Sequence, residues 1–267
     1  MLFGPNYSKA GPGVSPDEPR KKGIMRFFEL VGRDFTSYWK ASLFSTLCFI
    51  PYALIVSFGV YAGNLPVTLL GGIAGGALAG PCLAGLFDTV ARTLRDEPGY
   101  WWHTYKAALR RNAKASLIPG ALFGTLYATL LLSFALSPST GFTGPAAVAC
   151  MLFCLFVLTG AQTYCWLQLA LLDLPTGPLL KNSILFTFAY LPRTLLAAVL
   201  QIAYWVVMYL FFPITLLVFA VTLLWMPALM GALAVYIPLE KAFQLEDRLR
   251  SMRAEEEAAQ ADRADKE

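Results

Sequence analysis

The chain has 267 residues, of which 57% are hydrophobic and 14% charged, with a formal net charge of +4 and a mean hydropathy of +0.57. Soluble globular domains carry about 25% charged residues, so this composition excludes an ordinary water-soluble domain. Charge is also segregated: residues 41–87, 115–172 and 194–239 hold no Lys, Arg, Asp, Glu or His, as expected where one charge at a bilayer centre costs about 2.5–3.5 kcal/mol.

Residues 1–23 (MLFGPNYSKAGPGVSPDEPRKKG) are rich in Pro, Gly and Lys/Arg and lack an apolar core. They read as a flexible cytoplasmic tail and not as a signal peptide. In Ile24–Phe35, the side chains of Ile24, Phe27, Phe28, Val31 and Phe35 fall at helical spacing, with Arg26, Glu29, Arg33 and Asp34 opposite. Twelve residues so patterned suit an amphipathic helix lying in the interface. Tyr38, Trp39 and Lys40 then mark the headgroup level.

A straight helix over all 47 residues of 41–87 would reach about 70 Å, more than twice the hydrocarbon thickness of about 30 Å. Gly63-Asn64-Leu65-Pro66 provides a turn, which predicts span one over 41–61 and span two over 66–87. Span two holds GGIAGGALAGPCLAG, in which Gly72, Gly76, Gly80 and Ala84 recur every four residues beside a second row of Gly71, Gly75 and Ala79. Both rows fall close together on a helix, and small-xxx-small spacing lets backbones approach in lipid, where apolar burial gives no driving force. This stretch is the expected helix-packing centre of the whole domain.

Residues 95–114 are basic and aromatic, with Trp101, Tyr105 and Ala108 on one face, and predict a second interfacial helix. The next block divides at Ser137–Pro145 into spans over 116–136 and 146–172. Residues 173–193 contain LLKNSILFTFAYL between prolines, the expected third interfacial helix. The last block splits at Phe212-Pro213 into spans over 194–212 and 214–239, and 240–267 is a charged tail whose Leu245, Leu249 and Met252 share a face. The fold class is therefore all-α: a polytopic membrane protein of six transmembrane helices in three hairpins, with interfacial amphipathic helices, occupying 24–239.

Lys and Arg number seven in 1–40, six in 88–114, two in 173–193 and six in 240–267, and none in the three intervening turns. The positive-inside rule places both termini and both long connections in the cytoplasm. The boundary Lys40-Ala-Ser-Leu recurs as Lys114-Ala-Ser-Leu, with Arg193-Thr-Leu-Leu at the third unit, a layout consistent with a threefold repeat.

The tail GPGVSPDEPRKKG with FFELVGRDF (Phe27–Phe35), the run GPCLAGLFDTVARTLRDEP (Gly80–Pro98) and the Tyr100–Pro119 segment give the chain a resemblance to the YesL-like family of bacterial integral membrane proteins. The resemblance implies an accessory component of the bacterial cytoplasmic membrane, associated with carbohydrate uptake and with a sugar transport permease as partner. It carries over no catalytic or ligand residues.

Chemical motifs are sparse. His103 is the single His and has no nucleophile beside it, and there is no Walker loop, dinucleotide fingerprint or metal-ligand spacing. Cys48, Cys82, Cys150, Cys154 and Cys165 form no CxxC pair and read as small apolar residues. No cofactor, metal or enzymatic activity is expected, and the basic clusters read as anchors to the lipid bilayer, not to nucleic acid. Asp88 is expected to pair with Arg92, four residues on. Gln162 and Gln168, with Thr163, and Gln201 on the next span are candidates for a polar path; interhelical hydrogen bonding is the favoured reading. Two functions follow: a non-catalytic accessory or interaction component first, and a facilitator or channel for a small neutral solute second.

Overall fold

The computed structural model describes residues 21, 23–97 and 99–244; the expected N-terminal tail up to residue 20 and the Leu245–Met252 stripe lie outside them. The described residues form eight helices: α1 (Ile24–Tyr61), α2 (Leu65–Leu94), α3 (Trp101–Thr140), α4 (Pro145–Leu171), α5 (Thr176–Ala189), α6 (Leu191–Leu210), α7 (Thr215–Thr222) and α8 (Trp225–Phe243). Six of them (α1, α2, α3, α4, α6 and α8) are long and apolar enough to cross a membrane. The protein is all-α and polytopic, with apolar helices that contact a lipid bilayer.

Local chemistry sets the first turn. Gly63 takes φ 60°, a left-handed conformation that costs glycine nothing. Asn64 then caps α2, its side chain accepting the Val67 N–H at 3.1 Å, with Pro66 preorganised in the first turn. At the other tip α3 continues to Thr140 and stops at Gly141, with φ 70°, four residues beyond the expected end of span three.

α2 lies at the centre and packs against α1, α3, α4 and α8. The largest fully buried side chains, among them Trp166, Tyr38, Tyr164, Leu30 and Leu86 of α2 itself, belong to one core cluster. Phe87 stacks with Trp166 at 6.5 Å, and Tyr38 stacks with Trp225 at 5.6 Å.

The helix boundaries depart from the sequence reading at three further points. The first two amphipathic segments are not separate helices: residues 24–35 run into span one as α1, and 101–114 into span three as α3. Nothing between them breaks a helix except at Asp34, where φ −115° and ψ 15° bend α1. The third amphipathic segment, α5, folds back along α4 with Leu179, Ser183, Phe186 and Thr187 buried. The segment expected as span six, 214–239, is divided at Leu223, whose φ of 43° ends α7.

Candidate functional site

Built from the small residues upward, the centre of the protein is the double face of α2. A Cβ on Gly72 would meet the Thr125 backbone, one on Gly76 the Gly120 carbonyl, and one on Gly80 the Ser116 carbonyl, all on α3. Gly71 and Gly75 face the other way, against Ile55 and Tyr52 of α1. The two rows therefore serve two partners and not one common face, because adjacent positions on a helix are turned by about 100°. Ala84 is fully buried in the main core. The sequence reading passed over the complementary pair Gly120 and Gly124 on α3, whose added Cβ atoms would meet Gly76 and Gly72 carbonyls in return. Their own four-residue spacing was the available signal.

Polar side chains inside the apolar helices bond across helix pairs. Tyr52 donates to the Gly124 carbonyl at 3.0 Å, Ser45 to the Cys82 carbonyl at 2.8 Å, and Tyr127 to Thr159 at 3.2 Å. Gln201 Nε2 donates to Thr163 Oγ1 at 2.9 Å and to its own helix at Ala197. Gln168 is fully buried and donates to Ser183 Oγ of α5 at 3.3 Å. Gln162 is half-buried. The three glutamines thus have different surroundings: Thr163, not Gln162, meets Gln201, and Gln168 meets α5.

The charged end of α2 is held by arginines from its neighbours. Arg26, only 5% exposed, grips both Asp96 oxygens at 2.8 and 2.7 Å and donates to the Leu94 carbonyl at 3.3 Å. Arg33 reaches Asp96 at 2.6 Å and the Thr93 carbonyl at 3.0 Å. Carbonyls at a helix C-terminus have no partner within the helix and carry the negative end of its dipole, so two guanidinium groups from α1 satisfy both needs. Burial pushes the Asp96 carboxyl up, but the hydrogen bonds and charges of Arg33 and Arg26 outweigh it and hold it below the ordinary carboxylate range. Burial likewise opposes the Arg33 charge, and Asp96 and Asp34 overcome it, so the Arg33 pKa rises.

Asp88 is 1% exposed and is paired twice, with Arg92 at 2.7 Å and with Arg111 of α3 at 3.0 Å. The Arg92 partnership is the one its four-residue spacing predicts; the Arg111 partnership joins α2 to α3, and Arg111 also donates to the Ala170 carbonyl of α4 at 3.4 Å. His103 lies exposed on α3. Among the described residues no group of three or more His, Cys, Asp or Glu side chains is placed to hold a metal ion. All five cysteines are free, with Cys48 and Cys82 in contact at 2.8 Å.

The chain matches no protein-family model, and no curated protein or solved structure is significantly similar to it.

Proposed function

We propose that the protein is a non-catalytic accessory or interaction component of the bacterial cytoplasmic membrane, with both termini cytoplasmic, acting beside a second membrane protein such as a sugar transport permease. One observation carries this reading: the polar groups within the apolar helices are spent on holding helices together, as in Gln201–Thr163 and Tyr52–Gly124. Such contacts contribute about 0.6–2 kcal/mol each in a membrane and define a scaffold. The link to carbohydrate uptake rests on the resemblance to the YesL-like family. Purification in a mild detergent should retrieve one distinct membrane protein in fixed proportion; repeated recovery of the chain alone would overturn the proposal.

A second reading, a facilitator for a small neutral solute, has its own observation. Among the described residues, Gln168 Oε1 and Trp166 Nε1 on α4 are buried without a hydrogen-bond partner, and buried polar atoms left so are uncommon and mark places where a polar visitor gains contacts. Solute flux into proteoliposomes that is lost in Gln162→Leu, a side chain outside the helix-holding contacts named above, would favour this reading over the first.

A further inference from the structure

A groove of about 960 Å³ opens between the start of α1, the first half of α6 and α8. Its walls are apolar: Phe27 and Phe28 from α1, Leu196 and Leu200 from α6, Met226 and Met230 from α8. Several of these remain open to the surroundings, Phe28 at 62% and Leu196 at 47%. The groove changes character at one end, where Lys21, Arg26, Arg193 and Glu240 line it. From Met226 to Glu240 along α8 is a rise of about 21 Å, more than the roughly 15 Å depth of one leaflet's hydrocarbon. An ionic mouth joined to an apolar channel of that length is amphipathic in the same sense as a phospholipid.

The charges at the mouth decide which one. Arg26 is committed to Asp96, and its Nη1 lies 3.3 Å from Glu29 Oε2. Arg193 is exposed, and its guanidinium makes no hydrogen bond or ion pair among the described residues; Lys21 is exposed as well. Glu240 is half-buried. Among the described residues, and apart from the paired Arg26, the mouth holds two exposed cations, Arg193 and Lys21, against one carboxylate, and one phosphodiester neutralises that excess of one positive charge. Basic pockets between membrane helices, on the side that carries the basic loops, bind lipid headgroups by the same balance. We propose that this groove binds one anionic glycerophospholipid, its phosphodiester held by Arg193 and Lys21 and an acyl chain lying along Leu200 and Met230.

The full chain, purified in detergent and titrated with phosphatidylglycerol, phosphatidylethanolamine, phosphatidylcholine or inorganic phosphate, tests this by native mass spectrometry and unfolding midpoint. One phosphatidylglycerol per chain should be retained with about tenfold preference over the zwitterionic lipids, and inorganic phosphate should shift nothing. Arg193→Gln should weaken retention about fivefold, whereas Arg110→Gln, an exposed arginine away from the groove, should not. Leu200→Trp, which fills the channel without altering charge, should also reduce retention; it decides the matter if the arginine variant proves unstable in detergent. Equal retention of phosphatidylethanolamine or phosphatidylcholine, equal loss in Arg110→Gln, or full retention in Leu200→Trp would overturn the proposal, as would an equal shift by inorganic phosphate.

Discussion

Ser42 of α1 caps Trp225 of α8 from a distance of 183 positions in the chain: its Oγ accepts the Trp225 N–H at 2.9 Å and that of Leu224 at 2.8 Å. A helix start leaves such donors without partners, and a hydroxyl just before the helix is their usual acceptor. Here the preceding residues are Leu223 and Leu224, so the cap comes from another helix. Tyr204 completes the junction by donating to the Leu223 carbonyl at 2.9 Å.

Ser42→Ala should therefore destabilise the protein by about 1–2 kcal/mol, the cost of an N-cap lost in a buried setting. The loss should be local first. Hydrogen exchange in detergent should speed up at the amides of Leu224 and Trp225 while the amides of α2 keep their protection. Unchanged exchange at those two amides would mean that the serine hydroxyl does not cap α8.

Gly76→Leu should prevent insertion or assembly, because any side chain there enters the space of the Gly120 carbonyl and the Gly124 backbone. Leu131→Ala on α3 should be tolerated, since Leu131 is 51% exposed and leaves no cavity behind it. Yield of folded monomer in detergent measures both. Similar yields from the two variants would remove the close α2–α3 approach from the account of how this bundle holds together.

Periodic features were the legible ones. The four-residue recurrence of Gly72, Gly76 and Gly80, the turn at Gly63-Asn64 and the charge-free blocks all write a structural instruction into neighbouring positions, and each can be read without knowing the fold. The Leu223 break could not be read that way. Residues 194–239 carry no charge, and the groups that satisfy the break there are a serine and a tyrosine from other helices. The two arginines on Asp96 were hidden for a similar reason: Arg26 and Arg33 look like the solvated side of an amphipathic helix, and their carboxylate lies more than sixty positions away in the chain. The candidate polar residues were found by type, but their pairing depended on helix rotation, so Gln201 meets Thr163 where Gln162 was an equal candidate.

Asp96→Asn should cost on the order of 3 kcal/mol, because it leaves Arg26 buried beside a neutral group. The same pairing has a pH signature. The folded-state pKa of Asp96 lies below its unfolded value of about 4, so the stability it adds is complete above that value and disappears as pH falls through the depressed folded value. The unfolding midpoint of the wild type should thus hold steady from neutral pH down to about 5 and drop below about 4, with a smaller drop in Asp96→Asn. An equal acid loss in the two proteins would assign the transition to other carboxylates.

The threading of the first two hairpins is open to a direct chemical check. The tips lie together, since a Cβ on Gly63 would come 3.5 Å from Leu136 Cδ2, and Asn64 and Ser139 are each within a few residues of that contact. At the opposite ends lie Asp88, Asp96 and the arginines that pair with them. Positive charge kept on one side of the membrane then requires both tips to face the other side. In a background with Cys48, Cys82, Cys150, Cys154 and Cys165 replaced, Asn64→Cys and Ser139→Cys should react with an impermeant maleimide on intact cells. Lys106→Cys, exposed on the first turns of α3, should react only after permeabilisation. Labelling of either tip only after permeabilisation would invert or break this threading, and the assignment of both termini to the cytoplasm would fall with it.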